Sequence, residues 1–180
     1  NIGYQTPGSL PIRGASDGSM PSFGWDSSYD WSGTIPFEEL PTLYNPPEGF
    51  IVTANNALVD SFTYSLTTDW DYGWRAARIT EMLERAIAAG PLTVETMRRI
   101  QADNEFAMGK SLASAYMDVS TGRRGPDAAL DMLRSWDAQN SADSGAAAFA
   151  NVLWDELVLE LFVTGRENPA PVTGQGRLFL

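Results

Sequence analysis

The sequence predicts an α+β protein, and two observations on composition and spacing predict it. Residues 1–72 are rich in Gly, Pro, Ser and aromatic side chains, and seven prolines in this part prevent long helices. Residues 73–180 carry apolar side chains at helical spacing, followed by a Gly- and Pro-rich tail from about residue 165. We therefore expect short strands and loops in the N-terminal part and helices in the C-terminal part, together forming one incomplete domain.

Two short strands and one helical turn are predicted in the N-terminal part. The strands are placed at residues 2–6 and 49–55, and the turn at residues 37–40. The second strand is apolar and ends at two adjacent amide side chains, Asn55 and Asn56. An amide N–H is an uncharged donor, and a donor fixed at a strand end suits an oxyanion hole. An Asx-turn or a cap of the strand end is the alternative use of such a residue.

Five helices are predicted in the C-terminal part. Their ranges are residues 75–89, 93–101, 106–117, 126–136 and 144–163. Thr93 is expected to cap the second helix, and Pro126 to occupy the first position of the fourth. The fifth helix is the most apolar, and its spacing predicts a buried stripe of Ala148, Val152, Leu153, Leu157 and Leu161.

Composition excludes several classes of function. The chain has 180 residues, of which 43% are apolar, and this is enough for a real core. A formal net charge of −11 disfavours nucleic acid and anionic membranes as partners, because both attract basic surfaces. The chain has no Cys and no His, so a Ser-His-Asp hydrolase acting alone is excluded. No apolar run reaches the roughly 18 residues that span a bilayer, and no signal-peptide pattern opens the sequence.

Paired carboxylates and tryptophans offer weaker candidates. Asp69 and Asp71 fit either a glycosidase pair or a calcium site, whereas the neighbouring glutamates of residues 38–39 also fit helix capping. Trp25 and Trp31 fit a sugar-stacking platform, although such residues more often cover a core beneath long loops. None of these patterns is specific by itself.

A series of short motifs runs along the chain. In chain order the motifs are GSLPIR at 8–13, Asp17-Gly18, Gly24-Trp25, DWSG at 30–33, IPF at 35–37 with Pro41, NPPEGFIVTANN at 45–56, and Arg75 with Arg78-Ile79. This series resembles the penicillin acylase family of N-terminal nucleophile amidohydrolases. The resemblance is sharpest over residues 8–80 and covers most of the chain.

The resemblance implies a fold and a mechanism. The fold is a fragment of the αββα sandwich, with the helices packed outside. In the family an N-terminal Ser attacks an amide carbonyl, and its own α-amine acts as the base through a water. A backbone N–H and an Asn side chain hold the oxyanion, and the resemblance assigns the Asn to Asn55. It assigns an orienting arginine to Arg78, for which an ion pair with Glu81 or Glu84 is the alternative.

The resemblance also implies partners that complete the enzyme. Asn1 is not a nucleophile, so we expect the nucleophile and the backbone oxyanion donor in the upstream remainder of a precursor. That remainder is the α chain and the nucleophile-bearing part of the β chain. No cofactor is required, but the family often binds calcium, for which Asp69 and the Gly18 carbonyl are the matching ligands. A periplasmic or secreted location is implied.

The expected reaction is hydrolysis of a linear, non-peptide amide that releases an acyl group from an amine. Penicillin-type, cephalosporin-type and acyl-homoserine-lactone substrates are all compatible with the resemblance. The 180-residue chain alone is expected to be inactive, since it supplies only oxyanion and orienting residues. Two alternatives stay open: a catalytically inactive interaction fragment of the same fold, and a carbohydrate-binding module that uses the N-terminal aromatics.

Overall fold

The computed structural model describes residues 1–57, 62–67, 69–116 and 119–162. It divides the chain into two compact units, Asn1–Pro91 and Leu92–Leu180. The sequence places a change in composition at residue 72. The boundary between the two units lies later, because the first long helix after residue 72 belongs to the first unit. The Gly- and Pro-rich tail predicted from residue 165 lies outside the described residues.

Two small antiparallel sheets form in the first unit. Strand β1, Gly3–Gln5, pairs with β4, Thr42–Tyr44. Strand β2, Pro11–Ile12, pairs with β3, Gly33–Thr34. The predicted strand at residues 2–6 is thus confirmed as β1, and the helical turn predicted at residues 37–40 is confirmed as a 3₁₀ turn.

The strand predicted at residues 49–55 does not form. The described residues place no neighbouring strand along it, and a strand without a partner leaves its backbone groups unpaired. Its sheet-like contact is a single parallel bridge between Asn56 and Asp71. Residues 50–52 instead form part of the wall of a pocket, together with Leu43 of β4. Phe50, Ile51 and Val52 are partly buried, but the backbone of this apolar run does not form the predicted strand.

Helix α1, Trp74–Ala89, follows a left-handed glycine, Gly73, and ends at a second glycine, Gly90. Gly73 has φ 92°, a conformation that glycine adopts without strain, and it turns the chain from Asp71 into the helix. Gly90 ends the helix as the sequence predicted. Leu83 is the buried residue of α1. Among the described residues of this unit, the buried apolar side chains include Ile35, Leu40, Ala54 and Leu83.

The described part of the second unit contains four helices. They are α2, Val94–Ala102; α3, Ala107–Ala115; α4, Arg124–Arg134; and α5, Gly145–Phe162. Thr93 caps α2 as predicted, since its hydroxyl accepts a hydrogen bond from the Thr96 N–H. Helix α4 begins two residues earlier than predicted, so Pro126 occupies its third position. Proline is tolerated there because the first-turn N–H groups have no partner within the helix.

The core of the second unit lies between α3, α4 and α5. Leu130, Leu133 and Ala150 form its buried centre, and Phe106 and Trp136 pack against them. Helix α5 buries a different face from the one that the sequence predicted. Ala147, Ala150 and Val158 are buried, whereas Val152 and Leu161 are 59% and 58% exposed.

No helix in the described part of the chain combines the length and the apolarity needed to cross a membrane.

Candidate active site

Asn55 occupies a bend in an unusual backbone conformation. Its φ is 61°, in the left-handed region that asparagine tolerates better than most residues with a side chain. Its backbone carbonyl accepts a hydrogen bond of 2.7 Å from the Asp71 N–H. The preceding residue, Ala54, is buried, while Asn55 itself is exposed. The bend therefore presents the Asn55 side chain from a well-anchored backbone.

Asp71 and Arg75 join this bend to the start of α1. The Asp71 Oδ2 atom accepts hydrogen bonds from Arg75 Nε at 3.2 Å and Nη2 at 3.0 Å. The Asp71 Oδ1 atom accepts from the Gly73 N–H at 2.9 Å. The Asp71 side chain is only 9% exposed, so these donors replace most of its hydration. The carboxylate is thus a fixed anchor for the guanidinium.

The same Arg75 nitrogen reaches the bend at residues 54–55. Arg75 Nη2 lies 3.1 Å from Asn55 Oδ1 and 3.0 Å from the Ala54 carbonyl oxygen, and it donates to both. A guanidinium has only donors, so it can bind the oxygen of the Asn55 amide and not its nitrogen. Among the described residues the Asn55 Nδ2 group has no hydrogen-bond partner. The amide is therefore held by its oxygen and keeps its two N–H donors for another molecule.

Asn56 uses its amide differently. Its Oδ1 accepts from the Ala54 N–H at 3.0 Å, and its Nδ2 donates to the Ala57 carbonyl at 3.0 Å. Both ends of this amide close the local turn, which is the capping role that asparagine often plays. Two adjacent and chemically identical side chains therefore differ in what they offer to a ligand.

Arg78 lies three residues after Arg75 on α1. Its Nη1 donates to Glu81 Oε2 at 3.0 Å, and its side chain is 20% exposed. The ion pair with Glu81, which was the alternative reading of this residue, is thus present. The arginine that contacts Asn55 is Arg75, which the sequence placed only within the motif. The spacing of Asp71 and Arg75, four residues apart at a helix start, was the available sequence signal for this pair.

The two calcium ligands implied by the resemblance, Asp69 and the Gly18 carbonyl, lie in separate loops of the first unit. The Asp69 N–H donates to Thr67 Oγ1. Gly18 lies in a turn with φ 85°, and its N–H donates to Ser16 Oγ. Nowhere in the described ranges do three acidic side chains come together, whereas calcium takes six to eight oxygens. Calcium binding stays a prediction, and no step of the chemistry below depends on it.

The N-terminal aromatics lie on the surface of the first unit. Trp25 is 85% exposed and Trp31 is 66% exposed, so within this unit they do not cover a core. The Phe23 ring centroid lies 5.0 Å from that of Trp25 and 6.2 Å from that of Tyr29. These rings form an exposed aromatic cluster.

A pocket of about 360 Å³ adjoins the Asn55–Asn56 bend. Its volume lies in the range that small-molecule sites occupy. Asn56 and Ala57 line one side, and Thr80 of α1 lines another. The remaining wall is mostly apolar and includes Tyr4, Leu43, Phe50, Ile51 and Val52. The bend thus lies beside a cavity that suits an apolar group.

Comparison with known proteins shows the family to which this chain belongs. The family model described as penicillin amidase matches residues 1–174. The chain belongs to the penicillin amidase family. It is 34% identical over 172 residues to penicillin acylase 2 proenzyme of Pseudomonas sp. strain SE83, and 28% identical over 174 residues to the acyl-homoserine lactone acylase QuiP of Pseudomonas fluorescens Pf-5. These matches cover 93% and 91% of the chain, but only 21% and 22% of the relatives.

A solved structure of the penicillin amidase family shares the fold. The thermostable penicillin G acylase from Alcaligenes faecalis matches 92% of this chain and 31% of its own, with a TM-score of 0.65 and 25% identity. The predicted α+β class of the N-terminal nucleophile hydrolases is confirmed, as is the resemblance to penicillin acylases. The chain spans about one fifth of the length of these curated relatives, which are named as acylases.

Proposed function

We propose that this chain is part of a longer acylase that hydrolyses a linear amide, and that Asn55 supplies the side-chain donor of its oxyanion hole. The observation that carries the proposal is the hydrogen bond from Arg75 Nη2 to Asn55 Oδ1. Because the oxygen is occupied, the Nδ2 group is the part of the amide available to a substrate. An oxyanion hole needs such a fixed donor, aimed at charge that develops in the transition state.

The proposed reaction assigns the nucleophile to the rest of the protein. A Ser hydroxyl on a newly freed N-terminus attacks the amide carbonyl, and its proton passes through a water to the α-amine. As the Ser oxygen–carbon bond forms, the carbonyl π electrons move to the oxygen, which Asn55 Nδ2 then stabilises. Collapse of this intermediate expels the amine, which takes up a proton, and water hydrolyses the acyl ester. An α-amine with a pKa near 8 suits this role close to neutral pH. The absence of His and Cys from the chain is compatible with this mechanism.

Arg78 is proposed as an orienting residue of the same site. Its position on α1, one turn after Arg75, and its low exposure of 20% support a role near the bend. Its ion pair with Glu81 helps to fix the guanidinium. This assignment rests on the family motif.

The proposed substrates are amides of an apolar acyl group with a small amine. The names of two relatives refer to penicillin and to acyl-homoserine lactones, and both kinds of compound carry an acyl chain on a nitrogen. The mostly apolar pocket beside the bend has a suitable volume for part of such a molecule. We further propose a periplasmic or secreted location and an upstream remainder of the same precursor as the partner.

Two measurements on the complete protein test this proposal. Mass spectrometry should find two chains, with Ser at the new N-terminus. The pure protein should also release the amine from phenylacetyl or fatty-acyl nitroanilides. An uncleaved protein that turns over neither amide would contradict the proposal and favour the inactive fragment of the same fold.

The exposed aromatic cluster keeps carbohydrate binding as a second candidate. Stacking on sugars requires exposed rings, and Trp25 at 85% exposure meets that condition. A glycan array separates the two functions, because an acylase segment should bind no glycan above background. Glycan binding that is lost in the Trp25→Ala variant would favour the carbohydrate-binding function.

A further inference from the structure

We infer that Arg75 is a positioning residue, which fixes the Asn55 amide with its nitrogen as the outward donor. The inference rests on the proposed function of Asn55, but it concerns a different residue and a different property. Asn55 is exposed, and an exposed amide can exchange its oxygen and nitrogen by rotating about the last side-chain bond. In the wrong orientation the oxygen would face the developing oxyanion and repel it. An oxyanion hole built on this residue therefore needs something that distinguishes the two ends of the amide.

Arg75 distinguishes them by its chemistry. A guanidinium nitrogen only donates, so the 3.1 Å contact with Asn55 is satisfied by Oδ1 and is lost if Nδ2 takes its place. The backbone does not add a second constraint on the amide, because the hydrogen bond from Asp71 N–H reaches the Asn55 main-chain carbonyl and not its side chain. Within the described residues, Arg75 is the group that holds the Asn55 side chain.

Arg75 is itself fixed by a closed ring of contacts. Asp71 Oδ2 accepts from both Nε and Nη2 of the guanidinium, and the Ala54 carbonyl accepts from Nη2. Asp71 is in turn tied to the bend through its own N–H and to Gly73 through Oδ1. The forked shape of the guanidinium is needed here, because Nε and Nη2 bind the Asp71 carboxylate together while Nη2 also reaches the bend. The single ammonium of a lysine cannot reproduce this arrangement.

Orientation, and not charge, is the main effect that we assign to Arg75. Its side chain is 55% exposed, so water and salt screen its field at the oxyanion. A hydrogen bond at 3.1 Å to a neutral oxygen is much less affected by bulk screening than a distant charge. Removing Arg75 should therefore lower kcat, since the donor acts on transition-state charge, and should leave KM almost unchanged.

A double-mutant cycle in the complete protein tests this inference, with turnover of the phenylacetyl and fatty-acyl nitroanilides as the readout. Arg75→Met keeps the apolar stem but removes every donor, and we expect a loss of about 10- to 100-fold in kcat. Arg75→Lys should recover little of that loss. In the Asn55→Gly background, Arg75→Met should cost no more than about twofold, because the residue it positions is gone. Arg98→Met, an exposed arginine of α2, is the control and should leave kcat unchanged.

The outcomes separate the inference from the proposed function. If Asn55→Gly retains full activity, the oxyanion role of Asn55 fails. If Asn55→Gly is impaired but Arg75→Met costs as much with Asn55 as without it, the positioning role alone fails. Melting curves show whether a variant is folded. A neutron crystal structure of Arg75→Met, in which the deuterons identify the amide nitrogen, adds a readout that needs no turnover: we expect the Asn55 amide to be rotated or in two orientations. One unchanged orientation would overturn the inference, and this structure alone decides it if the parent protein proves inactive.

Discussion

The N–H of Asp71 donates a 2.7 Å hydrogen bond to the carbonyl of Asn55. This contact ties the bend that carries the candidate oxyanion donor to the segment that begins α1. The Asp71 carboxylate extends the connection to Arg75, which returns to Asn55 through its side chain. Backbone and side-chain contacts thus converge on one residue, and each can be broken separately.

Asp71→Asn should weaken the contact with Arg75 but keep the turn at Gly73. The new amide can keep an oxygen for the Gly73 N–H but loses the charge that attracts Arg75. Asp71 is 9% exposed and its partner is 55% exposed, so we expect a loss of about 1 to 3 kcal/mol, below that of a fully buried pair. Chemical denaturation of the complete protein measures it. An unchanged denaturation midpoint would show that the ion pair does not stabilise this connection.

Asn55→Gly and Asn55→Ala should distinguish the backbone strain at this position from the role of the side-chain amide in catalysis. Both variants remove the amide, so both should lose the same fraction of kcat. At φ 61° alanine is strained by about 1 to 2 kcal/mol, whereas glycine is not, so Asn55→Ala should melt at the lower temperature. Equal melting temperatures would mean that the left-handed bend is absent from the folded protein.

Gly109→Ala and Gly125→Ala test the core of the second unit. A methyl group at Gly109 would overlap the Phe106 ring and lie 2.9 Å from the Trp136 ring, whereas at Gly125 it would meet nothing within 4 Å. We expect Gly109→Ala to destabilise by about 1 to 3 kcal/mol despite the better helix propensity of alanine. Gly125→Ala should be neutral or stabilising by up to about 1 kcal/mol. Denaturation midpoints of the two variants in the opposite order would contradict the packing of α3 against Phe106 and Trp136.

Asp127 should make the start of α4 sensitive to acid. The hydrogen bond from the Thr121 N–H, followed by those from the hydroxyls of Thr121 and Ser120, lowers the pKa of Asp127. A lowered folded-state pKa means that the stabilisation is present above the ordinary aspartate range and is lost as pH falls through the folded value. Asp127→Asn should therefore lower the melting temperature at pH 7, and the difference should shrink below about pH 4. A difference in melting temperature that stays constant from pH 7 to well below about pH 4 would rule out this stabilisation.

Periodicity predicted the helices well because each has its own apolar face and end signals. Gly90 ended α1 and Thr93 began α2 as expected. The buried face of α5 could not be chosen from the sequence, because apolar residues such as Val152 and Leu161 surround the helix on most sides. The strand at residues 49–55 failed for a different reason, since a strand depends on a partner that local sequence does not specify.

The candidate site was only partly accessible from sequence. The motif drew attention to Asn55, and its assignment as the oxyanion donor stays a prediction. The contact between Asn55 and Arg75 joins residues 20 positions apart, across a bend and a left-handed glycine, and no periodic pattern encodes it. The different hydrogen bonding of the Asn55 and Asn56 amides likewise depends on tertiary contacts, because the two side chains are chemically identical.

The most direct test compares Asn55→Ala with Asn56→Ala in the complete, processed protein. We predict that Asn55→Ala lowers kcat by about 10²- to 10³-fold with little change in KM, as loss of one oxyanion donor does. Asn56→Ala removes a turn cap and should cost about 1 kcal/mol of stability while leaving kcat nearly intact. Equal losses of kcat in the two variants, or a larger loss for Asn56→Ala, would contradict the assignment of the oxyanion donor to Asn55.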